Sequence, residues 1–270
     1  MIVNVSELTK VGEVSLLVIV VAPPSYLNNW KSPRLGVVSV EGQAATIQNI
    51  QSALSERYDV RPLKLSEPIP ADIQAILMGS VTDSLLSDEY QNISDFLSRG
   101  GDLFITQSKI KTNLQVQQAL PIQSDLFSLL SKYGFSVQDN LVTDQICGRV
   151  NVQQQMGPIR MNVPIEYPLL PVIRNFNPNE SIVSGLEQMQ LIFASEVRQD
   201  SLSMGSVQFY PLIYTSENSG EMRGNFNLNP DPQQNPFMRM FNKSKLVVGA
   251  RSEMINSNGN STQIILVGDS

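Results

Sequence analysis

No histidine occurs in the 270 residues. Ser-His-Asp and Cys-His catalysis, histidine general bases and histidine-bearing zinc sites are excluded together. Cysteine is nearly absent as well. Cys147 stands alone, so neither an internal disulfide nor a cysteine-cluster metal site can form. A single thiol leaves oxidising and reducing locations both open. Phosphate loops are missing: Gly79-Ser80 and Gly100-Gly101 lack the Gly-x-x-x-x-Gly-Lys-Ser/Thr and Gly-x-Gly-x-x-Gly spacings. The chain therefore has no nucleotide loop of its own. Long apolar runs are lacking too. The longest, Val14 to Ala22, has nine residues, against about twenty for a membrane-spanning helix. With Glu7 and Glu13 before it and Pro23-Pro24 after it, this run reads as a buried strand rather than a signal-peptide core. Positive charge is scarce, with 19 Lys+Arg against 25 Asp+Glu and a net charge of -6. Without a basic stripe to release counterions, nucleic acid is not an expected partner.

What is present centres on Tyr58 to Ser108. Two apolar runs, Ile76 to Met78 and Leu103 to Ile105, read as buried strands. Between them Tyr90, Ile93, Phe96 and Leu97 recur at helical spacing and make one apolar face. Ser87 is the expected N-cap, Asp88 and Glu89 suit the positive end of the helix, and Gly100-Gly101 stops it. Strand, helix and strand joined by short connections form the βαβ unit of a parallel sheet.

The remainder follows in order. Residues 1–33 form an N-terminal segment containing the Val14 strand and a Pro-bracketed loop with Trp30. Residues 34–134 are expected to be the α/β core, with strands at Leu35 to Val40 and Asp59 to Leu65. Its helices are expected near Gln43 to Arg57 and around Leu126 to Tyr133, the latter capped by Ser124 and stopped by Gly134. Lys109 to Ile122 is polar and reads as a surface excursion. From Phe135 the apolar runs shorten and prolines multiply, so 135–270 is expected to be β-rich, packed on the same sheet or extending it. Its candidate strands are Leu191 to Ala194, Phe209 to Tyr214, Leu246 to Gly249 and Gln263 to Val267. The Asn-, Gln- and Pro-rich segment 223–242 reads as a mobile loop. The expected fold class is α/β: an open, mostly parallel, flavodoxin-like or amidotransferase-like sheet flanked by helices, with that β-rich C-terminal half.

Several segments, taken in succession, resemble the auxiliary component of gliding-motility-type ABC transport systems, the GldG-like family. They are Tyr58-Asp59-Val60, Ile69-Pro70-Ala71-Asp72, the Leu85 to Leu97 helix, Gly100-Gly101-Asp102-Leu103, Leu130 to Asp144, Pro178 to Ser195 and Val267 to Ser270. The resemblance covers most of residues 34–270. It implies a non-enzymatic extracytoplasmic domain at the bacterial inner membrane, working beside a permease and a separate ATPase subunit. In such proteins a transmembrane helix follows the soluble region, and a stop at Gly268-Asp269-Ser270, directly after a strand, suits that arrangement. Where relatives show a Gly-His-Gly-Glu-like segment, this chain has Ser39-Val40-Glu41-Gly42-Gln43. The core is also similar to class I glutamine amidotransferases. There a cysteine follows a strand with a histidine nearby, whereas Gln107-Ser108 occupies the comparable position here.

Candidate chemistry is sparse. Asp139, Asp144, Glu166, Glu180, Glu187 and Asp231 are scattered, and a glycan hydrolase would need two of them paired. Tyr167, Tyr210, Tyr214 and Trp30 read as packing residues, with stacking on a sugar or peptide as the alternative. In an open parallel sheet the ligand crevice lies beyond the carboxyl ends of the strands. That rule singles out Glu41, Ser80, Gln107, Ser108 and Asp269 for a small polar ligand, a glycan or a partner loop. No cofactor and no metal are expected. Alternatives to the transport role are a glycan- or peptide-binding enzyme relic, a carboxylate glycan hydrolase, and an assembly scaffold.

Overall fold

The structure is a computed structural model that describes residues 34–38, 54–55, 58–156, 159–256 and 259–269. The expected Val14 to Ala22 strand, Trp30, Glu41 and nearly all of the Gln43 to Arg57 helix lie outside the described residues.

One sheet organises the protein. Its five parallel strands are β1 (Arg34–Val38), β2 (Asp59–Leu63), β3 (Ala75–Met78), β4 (Asp102–Thr106) and β17 (Ser261–Val267). Three antiparallel strands continue it beyond β17: β16 (Val247–Ile255), β14 (Gln208–Tyr214) and β11 (Asn175–Phe176). The spatial order is β11-β14-β16-β17-β4-β3-β1-β2. The other strands form small ribbons: β5 (Ile110–Asn113) with β6 (Gln118–Pro121), β7 (Phe135–Val137) with β13 (Val197–Gln199), and β8 (Asn140–Asp144) with β15 (Ser219–Arg223). A longer one joins β9 (Cys147–Met156), β10 (Ile159–Ile173) and β12 (Met189–Gln190).

This architecture corrects the expected fold class. The protein is mostly β, its sheet is mixed, and only two complete α-helices occur among the described residues: α1 (Ser87–Ser98) and α2 (Leu126–Lys132). It is not a helix-flanked, mostly parallel, flavodoxin-like or amidotransferase-like sheet. Packing supplies the reason. Strand alternation sends Leu103, Ile105, Ile264 and Leu266 to one face, where they join Ile93, Phe96 and Leu97 of α1 and Leu126, Leu129 and Leu130 of α2. The opposite face presents Phe104, Ile265, Val267 and Val248. It is covered by Val142 of β8, by Ile182 and Val183 of a 3₁₀ turn and by Leu191 and Ala194 of a loop. Helical Leu54 packs on the Leu35, Val37 and Leu77 part of the same face.

Local structure refines the sequence reading. α1 starts after Leu86, whose amide donates to the Glu89 carboxylate at 2.9 Å. Glu89, three residues into the turn, supplies the carboxylate half of a capping box, and Ser87 is already helical. Gly100 adopts φ 93° and its amide donates to Leu97 O, so a glycine ends the helix as expected. The last carbonyls receive further donors from the β16–β17 hairpin: Asn256 Nδ2 to Leu97 O and Ser98 O, and Thr262 Oγ1 to Leu97 O. Leu191 to Ala194 is no strand. Its Leu191 and Phe193 amides instead donate to Pro171 and Leu169 carbonyls, with Phe193 at φ 52°. Segment 223–242 contains a short 3₁₀ turn and lays Phe226, Leu228 and Met238 into a second core with Tyr167, Leu169 and Phe193. No helix among the described residues is long and apolar enough to cross a membrane.

Asp102, at the start of β4, accepts the Gln263 amide at 2.9 Å. Burial pushes its carboxyl up to about 6, with Glu253 acting in the same direction. The folded state thus holds this proton more tightly than the unfolded chain, so ionising Asp102 subtracts stability as pH rises through about 6. Asp102→Asn keeps an acceptor for Gln263. It is expected to raise stability at pH 8 by up to ~2 kcal/mol and to be neutral near pH 4, measured by urea unfolding at both pH values. An equal effect at both would contradict the assignment.

Candidate functional site

The carboxyl ends of β3, β4 and β17 gather four of the five residues chosen from sequence. Ser80 follows β3, Gln107 and Ser108 follow β4, and Asp269 follows β17. All four are buried. Glu41 lies outside the described residues.

The side chains of Gln107, Ser108 and Asp269 are engaged in building this strand end. Gln107 donates its own amide to Val267 O at 2.8 Å, extending the β4–β17 ladder by one rung. Its side-chain amide then acts as a substitute peptide. Oε1 accepts from Val81 N at 2.8 Å, and Nε2 donates to Val81 O at 3.0 Å and to Ser108 O at 2.7 Å. Ser108 Oγ lies 3.0 Å from Phe193 O and 3.1 Å from Ser195 Oγ, and accepts from Ile110 N at 3.2 Å. Ser195 in turn donates to Asn140 O at 2.8 Å and accepts from Lys109 N at 3.0 Å. The Ser108 hydroxyl thus faces carbonyls, an amide and another hydroxyl, and none of these is a base able to take its proton. Asp269 Oδ1 accepts the Ile192 amide at 2.6 Å. The seam closes through Gly268, which accepts from Ser195 N at 2.7 Å and donates to Val248 O at 2.8 Å. A Cβ at Gly268 would fall 2.1 Å from Ser195 O, a backbone atom that cannot turn away.

Beside the seam lies a charged network that the sequence reading missed. Asn140 is fully buried. Its Nδ2 donates to Glu221 Oε2 at 2.8 Å and to Glu196 Oε2 at 3.3 Å, and its Oδ1 accepts Glu196 N at 2.9 Å. Arg198 grips Glu196 through Nε and Nη2, both at 2.8 Å. Arg223 Nε lies 2.7 Å from Glu221, and Lys243 Nζ 3.2 Å from its other oxygen. Burial pushes the Glu221 carboxyl up, but the donors Asn140, Lys243 and Arg223 outweigh it and hold the group below its ordinary value. The hydrogen bond to Glu196 raises Arg198. A sequence signal existed: Glu196-Val197-Arg198 and Glu221-Met222-Arg223 repeat Glu-x-Arg, which places both charges of each triplet on one face of a strand.

Five of the six carboxylates chosen from sequence are held by neighbouring cations or hydrogen-bond donors. Asp139 pairs with Lys109, Glu166 with Arg149 and Glu180 with Arg251. Asp144 accepts from Ser216 and Ile146, and Asp231 from Gln233. Tyr167 is buried with its hydroxyl on Leu228 O, and Tyr210 lies under the Arg251 guanidinium at 4.1 Å. Burial pushes the Cys147 thiol up to about 11, with Glu166 and Asp144 adding to the effect. Among the described residues no three His, Cys, Asp or Glu side chains are grouped to hold a metal ion.

Fold and site together define a mixed-sheet domain in which the carboxyl ends of β4 and β17 are tied by structural hydrogen bonds. Residues 32–270 match the family model of auxiliary ABC transport components, described as an ABC-type uncharacterized transport system. The chain belongs to that family. It is 27% identical over 231 residues to an uncharacterized protein of Borreliella burgdorferi, covering 80% of this chain and 43% of that protein. The chain thus spans less than half the length of that relative. Among solved structures it is similar to the mmIFT52 N-terminal domain, with a TM-score of 0.53, 10% identity, and coverage of 87% of this chain and 85% of that one. A ThuA-like protein from Bacteroides uniformis gives a TM-score of 0.45 at 10% identity, over 90% and 85% of the two chains. At such identity the likeness to the IFT52 domain speaks for the fold alone.

Two substitutions test the site as built. Gly268→Ala must part β17 from the Ser195 backbone, with an expected loss of about 3 kcal/mol. Asn140→Ala leaves two glutamates short of a donor, with an expected loss of about 2–4 kcal/mol. Both are read by urea unfolding, and a loss under about 0.5 kcal/mol for either would contradict the structural role given to it.

Proposed function

We propose that this chain is the non-enzymatic, extracytoplasmic domain of an auxiliary subunit of a gliding-motility-type ABC transport system. It engages the permease or the translocated substrate, while a separate ATPase chain supplies energy, and a helix outside this chain holds it at the inner membrane. The observation that carries the reading is the family match over residues 32–270. Two features support its non-enzymatic part. The chain has no histidine, and the strand end where a nucleophile would sit holds Gln107 and Ser108 in structural hydrogen bonds. With Gln107, Ser108 and Asp269 so engaged, this reading favours a protein partner over a small polar ligand or glycan at that strand end.

The test uses the full-length protein in its own cells. Purified from detergent-solubilised membranes, it is expected to bring down a permease and an ATPase subunit. Protease added to intact spheroplasts is expected to digest this domain. A protein that purifies alone, or a domain protected until the membrane is breached, would contradict the proposal.

A further inference from the structure

The Asn140 network carries more positive charge than its own carboxylates neutralise. Glu196 and Glu221 face Arg198, Arg223 and Lys243, a local excess of one cation in a chain whose net charge is -6. Asp139, next to Asn140 in the chain, is neutralised by Lys109 at 3.3 Å.

The geometry holds two guanidinium groups together. Arg198 Nη2 lies 2.8 Å and Arg223 Nη2 3.6 Å from the same oxygen, Glu196 Oε2, so the two nitrogens are within about 6.4 Å of each other, the sum of those distances. Like charges at that separation repel unless anions sit between them. Glu196 supplies one anion from the buried side, its side chain 8% exposed, while the arginine side chains are 51% and 42% exposed. A guanidinium has five N–H donors. Arg198 uses Nε and Nη2 on Glu196, and Arg223 uses Nε on Glu221. The Nη1 groups of both have no protein partner among the described residues. Asn140, fully buried, fixes both glutamates and so fixes both arginines.

We propose that Arg198 and Arg223 form a pincer that binds a carboxylate from solution or from another polypeptide. A planar carboxylate matches the guanidinium fork, and its single negative charge offsets the single excess positive charge. The site is a property of the network and stands apart from the transport assignment.

The experiment is a titration of the whole chain, nitrogen-15 labelled, following the Nε–Hε signals of Arg198 and Arg223 by NMR. The titrants are sodium acetate and a hexaglutamate peptide, each compared with sodium chloride at matched ionic strength. Saturable shifts of both arginines are expected, with apparent affinity weakened about tenfold in Arg223→Gln and in Arg198→Lys, which retains the charge but loses the fork. Saturation by acetate supports a free carboxylate as ligand. Saturation by the peptide alone supports a carboxylate borne on a polypeptide. Shifts no larger than those from chloride would overturn the proposal. So would unchanged affinity in either variant that keeps the wild-type spectrum elsewhere.

Discussion

The carboxyl end of the sheet depends on one close approach, that of the Gly268 backbone to Ser195. Only a residue without a Cβ lets the end of β17 lie against the Ser195 carbonyl while its own amide reaches Val248. Ser195 is thereby placed to meet Ser108, Lys109 and Asn140 at once. The parallel strands, the Lys109 connection and the small β8–β15 ribbon are joined through that serine. Gln107, Ser108, Ser195 and Asn140 are hydrogen-bonded at this junction, as a low-dielectric site requires. Thr143 Oγ1 and Ser219 Oγ of the β8–β15 ribbon, by contrast, are buried with no partner among the described residues.

The same packing logic governs the charges next to it. Glu196 is nearly buried, and a lone buried carboxylate would cost several kcal/mol. Asn140 and Arg198 compensate it with three hydrogen bonds to its oxygens, and the Glu196 amide itself donates to Asn140 Oδ1. Glu221 is treated likewise by Asn140, Arg223 and Lys243. The arrangement is buried on its glutamate side and exposed to solvent on its arginine side.

Much of the local structure was legible in the sequence, because period and punctuation decide it. The strands at Ile76 and Leu103, the helix between them and its Gly100 stop all follow from spacing. The fold class was not. Helix-flanked and strand-flanked sheets place the same continuous apolar runs in their central strands, and what covers the Phe104 and Ile265 face is set by residues far along the chain, Val142 and Ile182 to Ala194. The capping signal was half legible. Ser87 looked the better cap, yet the Glu89 side chain reaching the Leu86 amide sets the start one residue earlier. Segment 223–242 has the composition of a loop, and nothing in its spacing announces that Phe226, Leu228 and Met238 are buried. At the strand end the positions of Ser80, Gln107, Ser108 and Asp269 were readable from topology. Their hydrogen-bond partners, Val81, Phe193, Ser195 and Ile192, were not, since three of these lie 77 to 87 residues away from the groups they meet.

The hydrogen-bonded ends of β4 and β17 are expected to form a seam rather than a crevice. Native-state hydrogen exchange at the amides of Gln107, Ser195 and Gly268 tests this most directly. The account predicts that all three exchange only through global unfolding, as slowly as the centre of β4. Exchange through a local opening several kcal/mol below the global value would contradict it, because the strand end would then be a crevice that opens rather than a seam that holds.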